Sequence, residues 1–336
     1  MKAIVCTRYG PPKVLQLKEV AQPAPKDDEV RIRVHAASVN ARDWRMMRAH
    51  LFIIRMVPDC FLQPKNKILG ADVAGRLETI GCNVKQFRPA DEVFGYLPSA
   101  TGRGTFAEYV CAEENAITLK PANLSFDQAA AVPLAAFTVL QGLRDKGNIR
   151  AAQKVLVQNA SGGVGTFAVQ IAKAFGAEAT GVCSTRNLEV ERSIGADHVI
   201  DSSREDFTRR GQQYDLILAA NGYHPVSDYL RALTPGGICV VAGGSLRQLF
   251  QAAVKARRRS GGGSPRTRGV SLVHRHEDLM FLRGFLESGQ VNPVIDGCYP
   301  LRRKDEAIKD EAMRYLEETH AKGKVVITVE HRGGRE

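Results

Sequence analysis

The seven cysteines of this chain show no C-x-x-C spacing, and their odd number leaves any disulfide framework incomplete. No hydrophobic run approaches the ~20 residues that cross a bilayer as a helix. The opening MKAIVCTRYG lacks the apolar core and cleavage site of a secretory signal. Together these absences argue against a cysteine-stapled secreted scaffold and a membrane span, and they lead to the expectation of a cytoplasmic protein with reduced thiols. Acidic residues are missing between Gln251 and Arg275, where Lys255, Arg257, Arg258, Arg259, Arg266, Arg268 and Arg275 supply seven charges of a net +11. Aromatic residues are missing there too, apart from Phe250 at the border, so the segment has no platform for stacking on bases. With SGGGSP in its middle it reads as a solvated loop, and nucleic acid is not the expected partner.

What is present is the composition of a globular protein, 44% hydrophobic and 25% charged, in a length that exceeds one hydrophobic core. Two compact units are expected. The first 120 or so residues offer short strand-like runs, AIVCT, EVRIRVHAASV, GADVAGRLETIG and DEVFGYL, divided by Gly and Pro. From about Phe126 the pattern changes to apolar runs alternating with helical periods, the mark of βαβ units on a parallel sheet. Those runs are KVLVQ at 154–158, ATGVCS at 179–184, DHVID at 197–201, YDLILAA at 214–220 and GICVVAG at 237–243. RGVSLV at 268–273 is a candidate sixth strand, helices are expected from Glu277 to Glu287 and from Lys304 to Thr319, and KVVITVE near the end is apolar enough to return to the first unit.

The motif that carries chemistry is VLVQNASGGVG at 155–165. After it, Phe167, Ala168, Ile171, Ala172 and Phe175 recur on one helical face, and Gly176 supplies the stop. A strand, a turn of small residues and a helix N-terminus form a cradle for a diphosphate, to which Ser161, Gly162, Gly163, Val164 and Gly165 would contribute backbone. Asn159 stands where a first glycine is usual, and Asn tolerates the left-handed backbone. The alternative is a glycine turn that only packs helix on strand. About 20 residues on, where an acid would grip the ribose of NADH, stand Ser184, Thr185, Arg186 and Asn187, with no carboxylate before Glu189. Arg186 can pair with a 2′-phosphate while Ser184 and Asn187 donate to it, which favours NADPH (NADP+); an arginine merely exposed in a loop is the other reading. Asn221, Gly243 and Gly244, after the fourth and fifth strands, could admit the nicotinamide half or simply build tight turns.

The chain resembles the medium-chain dehydrogenase/reductase superfamily, and within it the zinc-independent quinone oxidoreductase or zeta-crystallin-like branch. The likeness rests on ASVNARDW at 37–44, LGADVAGRLETIG at 69–81, GTFAEYV at 104–110, AAAVPLAAFTVLQGL at 129–143, ASGGVG at 160–165, IGADHVID at 194–201, LTPGGICVVAGG at 233–244 and GKVVITV at 323–329. It implies an α/β architecture with a GroES-like β-rich catalytic domain over 1–123, a doubly wound Rossmann NADP-binding domain over 124–275 and a C-terminal return to the catalytic domain over 276–336. It also implies an active site in the cleft between the domains and a homodimer joined at Rossmann edge strands, here RGVSLV. At the places that match the catalytic zinc ligands of the alcohol dehydrogenases stand Asn40, the Ala71–Asp72 pair and the neighbourhood of Leu134. The cysteine-rich zinc lobe has no counterpart between Gly95 and Phe106, so no metal is expected.

Without a metal or tuned base to stabilise an alkoxide, whose parent acid has a pKa near ~15.7, the expected acceptor is a quinone or enone. Its delocalised oxyanion needs only hydrogen-bond donors. The resemblance puts Asn40 in the cleft, where its amide could donate to the substrate carbonyl, with Asp43 or Tyr96 orienting it or relaying a proton. An Asx turn ending a strand would equally explain Asn40 and Asp43. Tyr96 and Arg103 lie in the glycine-containing loop FGYLPSATGRG, which could cover the cleft or be surface only. His198 reads as structural, and His274 and His276 are not counted as acid or base. Two further readings stay open: an NAD(P)-dependent alcohol or aldehyde dehydrogenase, and a cofactor-binding protein whose basic loop contacts RNA or a partner.

Overall fold

The computed structural model describes residues 1–49, 67–97, 104–244, 251, 265–301, 311–318 and 321–331. Arg103 with most of its loop, the basic stretch 252–264 and the first half of the helix expected from Lys304 lie outside the described residues. Contacts gather the chain into one unit of Met1–Leu134, His274–Glu287 and Ile295–Glu336 and another of Ala135–Val273 and Ser288–Val294.

The first unit opens with strands β1 (Lys2–Cys6), β2 (Leu15–Glu19), β3 (Glu29–Val39), β4 (Asp72–Ile80), β5 (Glu92–Tyr96), β6 (Tyr109–Glu113) and β7 (Ile117–Leu119). β3 shows why this stretch is extended: Val30, Ile32 and Val34 alternate inward with no exposure while Arg31 and Arg33 remain partly solvated. The strand stops at Asn40, which begins the helix Ala41–Met47; Asp43 caps it by accepting the Asn40 backbone N–H at 2.8 Å.

The second unit holds β8 (Lys154–Gln158), β9 (Glu178–Cys183), β10 (His198–Asp201), β11 (Tyr214–Ala220), β12 (Leu233–Ala242) and β13 (Arg266–Gly269). They lie in the order β10-β9-β8-β11-β12-β13 with every pairing parallel. This is the doubly wound arrangement, and the direction of strand addition reverses beside β8, where such sheets open a crevice for ligands. Val155, Leu156, Val157, Leu216, Ile217 and Leu218 have no exposure, as strands covered on both faces require. One expectation moves: the sixth strand is Arg266–Gly269 rather than 268–273. Backbone pairing to Ile238–Val241 decides it. Val273, near the apolar end of the expected run, gives its N–H and carbonyl to the Gln141 side chain at 3.0 and 2.5 Å instead of to a strand.

The chain then returns to the first unit through the helix His276–Glu287, β14 (Ile295–Pro300), the helix Glu311–Glu318 and β15 (Lys324–Thr328). β15 runs antiparallel to β3 with Val325 opposite Val39, completing a seven-stranded sheet in the order β14-β15-β3-β4-β5-β7 with β6 also on β3. The IDGCYP sequence of β14 has no apolar alternation, and its pairing to β15 alone makes it a strand. Among the described residues no helix is long and apolar enough to cross a membrane.

Candidate functional site

The glycine-rich turn leaves β8 at Gln158 and enters the helix Gly165–Ala174. Asn159 takes φ +56°, the left-handed value its substitution for glycine requires. The Gly162 N–H closes the turn on the Asn159 carbonyl at 3.1 Å, and the Thr166 N–H meets the Gly162 carbonyl at 3.0 Å. A Cβ on Gly165 would collide with the carbonyl oxygens of Asn159 and Ala160, so only glycine lets the helix start this close to the strand. The first turn of that helix carries backbone N–H groups without intrahelical acceptors and the positive end of its dipole. A dinucleotide diphosphate fits that donor set.

The loop after β9 is a 3₁₀ turn, Thr185–Asn187. Asn187 is buried: its amide donates to Ser161 Oγ at 2.8 Å and, more weakly, to Ser184 Oγ at 3.3 Å. It therefore straps the glycine-rich turn to the end of β9, whereas Arg186 is exposed on the same turn and Ser184 is half-buried. Asp201 at the end of β10, not singled out from sequence, holds the loop from below by accepting the Thr185 hydroxyl at 2.6 Å and the Ser203 N–H at 2.9 Å. At the same carboxyl edge of the sheet, after β11 and β12, Asn221 (φ +50°), Gly243 (φ +80°) and Gly244 (φ +118°) all have left-handed backbones. The Asn221 N–H is bound to the Ala242 carbonyl at 2.9 Å.

Glu191 is a second residue that the sequence did not reveal. It lies on the helix Leu188–Ser193, is 0% exposed, and neither carboxyl oxygen has a hydrogen-bond partner among the described residues. A Cβ on Gly181 would stand 2.9 Å from Glu191 Oε2 and 3.2 Å from Ala160 Cβ, so the carboxyl sits behind the dinucleotide turn with only the bare face of β9 between. Burial pushes its pKa up from 4.5 to about 7.

In the first unit, register assembles a different cluster. Ser38 is opposite Asp72 across β3 and β4, and Asp72 is opposite Tyr96 across β4 and β5. Asp72 is fully buried and saturated: Oδ1 accepts the Leu134 N–H at 2.9 Å, and Oδ2 accepts the Ser38 hydroxyl at 2.6 Å and Asn40 Nδ2 at 2.9 Å. Lys324, at the start of β15 and 3% exposed, donates to Asn40 Oδ1 at 2.5 Å and stands 3.6 Å from Asp72 Oδ2. The other Asn40 amide contact, to the Ser38 carbonyl, is long at 3.3 Å.

Thus Asn40 and Asp43 are brought together around Asp72, which the sequence marked only as a place matching a zinc ligand, and Lys324, which motif reading overlooked. Burial raises the Asp43 carboxyl to about 6, against the pull of Arg42 and Lys324. Burial, aided by the charges of Asp72 and Asp43, raises the Tyr96 hydroxyl above its ordinary value, so it remains a protonated donor at neutral pH. The imidazole of His274 stacks on the Tyr96 ring with centroids 6.0 Å apart, and burial lowers its pKa. His198 pairs with Glu178 at the surface, 2.9 Å apart, and His276 meets the Asn115 carbonyl at 3.0 Å.

Residues 26–122 match the family described as Alcohol dehydrogenase GroES-like domain, and residues 194–327 the family described as Zinc-binding dehydrogenase. The chain is 35% identical to the 2-methylene-furan-3-one reductase of Solanum lycopersicum over 97% of its own length and 79% of that protein. It is 33% identical to the chloroplastic NADPH-dependent alkenal/one oxidoreductase of Arabidopsis thaliana, over the same shares. The solved quinone oxidoreductase from Coxiella burnetii superposes with a TM-score of 0.83 at 28% identity, covering 98% of this chain and 99% of that one.

The second family description implies zinc, and the residues here do not fit it. Asp72 already has its oxygens engaged, Asn40 turns an N–H toward it, and the charge beside them is an ammonium that would repel a divalent cation. Among the described residues no group of three or more His, Cys, Asp or Glu could hold a metal ion. By these matches and this fold, the chain belongs to the medium-chain dehydrogenase/reductase superfamily, in the branch of the quinone oxidoreductases.

Proposed function

We propose that this protein is an oxidoreductase that reduces quinones or other conjugated carbonyl compounds with NADPH. One observation carries the reading: a strapped diphosphate turn with Arg186 beside it lies on one unit, and a buried hydrogen-bond cluster built around an ammonium, where a zinc set would otherwise be required, lies on the other. The names of the relatives, an alkenal/one oxidoreductase and a furanone reductase, support the same substrate class.

Ser161 to Gly165 hold the diphosphate, Ser184 and Arg186 read the 2′-phosphate, and Asn221, Gly243 and Gly244 accommodate the nicotinamide half. Asn187 keeps the turn in shape. Bound reduced nicotinamide supplies the hydride, which goes to the conjugated carbon of the acceptor. Charge then gathers on the acceptor oxygen, where the Tyr96 hydroxyl donates and Asn40 offers the amide hydrogen now in the long contact to Ser38. Asp43 orients the Asn40 backbone and, with its pKa pushed up to about 6, takes up a proton just below neutral pH. Oxidation of a simple alcohol would need a metal or strong base to stabilise the alkoxide, and this cluster offers neither. We further propose a homodimer joined at the β13 edge of the parallel sheet, and a cytoplasmic location in keeping with the free described cysteines.

The test is NADPH oxidation by the full chain with a panel of 1,4-quinones, short enones, saturated aldehydes and primary alcohols, with NADH in parallel. Turnover is expected with the first two classes, faster with NADPH, and unchanged after chelation. Silence toward every quinone and enone, or dependence on added zinc, overturns the reading.

A further inference from the structure

We propose that Lys324 is a positioning residue of the reductase site, its ammonium holding the Asn40 amide in one orientation and giving the buried cluster a positive charge. The inference rests on the reductase reading and deepens it.

An asparagine amide has nearly the same shape when flipped, so its partners decide which end donates. Here Oδ1 meets the Lys324 ammonium at 2.5 Å and Nδ2 meets the Asp72 carboxylate at 2.9 Å. Flipping the amide would set N–H against ammonium and oxygen against carboxylate, two repulsions inside a site with almost no exposure. Removing the Lys324 cation takes away the first of those repulsions and leaves Asp72 alone to hold the orientation. The same cation faces both Asp72 and Asp43, which are buried and would otherwise stand together with only Arg42 in opposition.

Polarisation gives the arrangement a kinetic consequence. An amide whose oxygen accepts from a cation is a stronger donor at its nitrogen, so negative charge developing on an acceptor oxygen is met by an amide already polarised toward it. A lysine that only stabilised the sheet could be replaced, together with Asp72, by a neutral pair without effect on rate.

The experiment uses the full chain as Lys324→Met and as the charge-balanced pair Lys324→Met with Asp72→Asn, which removes the uncompensated buried carboxylate and so guards against misfolding. Measured are kcat and KM for one enone, the NADPH Kd by fluorescence titration, and the pH profile of kcat. Both variants are expected to lose at least ~10-fold in kcat with NADPH Kd within about twofold of the parent. In Lys324→Met the acidic limb also moves to higher pH, because Asp43 then faces Asp72 and Arg42 without the ammonium that lowered its pKa. A charge-balanced pair that turns over at the parental kcat, or a limb that does not move in Lys324→Met, overturns the proposal. An unmodified protein that binds NADPH yet reduces no acceptor overturns the reductase reading itself, a result distinct from either.

Discussion

Glu191→Gln is the perturbation whose size follows most directly from the structure. The carboxyl is fully buried, without a hydrogen-bond partner among the described residues, and raised from 4.5 to about 7 by burial alone. A folded-state pKa above the unfolded one means that folding favours the protonated form. Its contribution to stability is whole below about 4.5, is lost as pH rises toward and through about 7, and is constant above. At about 1.4 kcal/mol for each tenfold change in proton affinity, the interval amounts to about 3 kcal/mol. Glutamine is the neutral isostere and has no such dependence. Urea unfolding at about pH 5 should therefore find the variant close to the parent, and at about pH 8 the variant should be more stable by about 3 kcal/mol. For a unit of this size each kcal/mol is worth roughly 2–4 °C in Tm, so thermal scans should show the same divergence. An equal difference at both pH values would refute the claim that Glu191 enters the fold as a buried, unpaired acid.

Two further substitutions separate reading from shaping at the cofactor turn. Arg186→Ala should weaken NADPH by roughly 10- to 100-fold, the range of a charge-assisted hydrogen bond, and leave NADH almost unaffected in fluorescence titrations. Equal weakening of both would remove its assignment to the 2′-phosphate. Asn187→Ala deletes the 2.8 Å strap to Ser161 and should weaken both nucleotides alike by about 5-fold, the worth of one neutral hydrogen bond. Selective loss of NADPH there would instead make Asn187 a direct phosphate contact.

The parallel sheet was legible in the sequence because its strands are short apolar runs covered on both faces, and β8 to β12 fall where such runs fall. The β13 and β14 edges were not legible, although the β10 edge was. β13 carries two arginines and β14 a proline and a glycine, and each is a strand only through a neighbour's backbone. The turn that would hold the diphosphate could be read locally, and Asn159 took the backbone its substitution demanded. The buried cluster around Asn40 could be read only in half. Asn40 and Asp43 are three residues apart, but Lys324 reaches Asn40 across 284 positions, and no local period encodes that meeting. Glu191 went unread because nothing local marks it, and it lies against a glycine of β9 that leaves it room.

The pairing of β15 with β3 also bears on how the protein is made. On a ribosome, Ser38, Asn40 and Asp72 emerge with their acceptors and donors half satisfied, and the strand that supplies the ammonium follows Asn40 only 284 positions later. The parallel sheet, whose strands are close in sequence, can close first, while the older half of the chain waits with an open sheet edge at β3. Chaperone demand should therefore persist until that strand is out, and a nascent chain exposed as far as Pro300 but not Lys324 should present a closed parallel-sheet unit and a first unit still lacking β15.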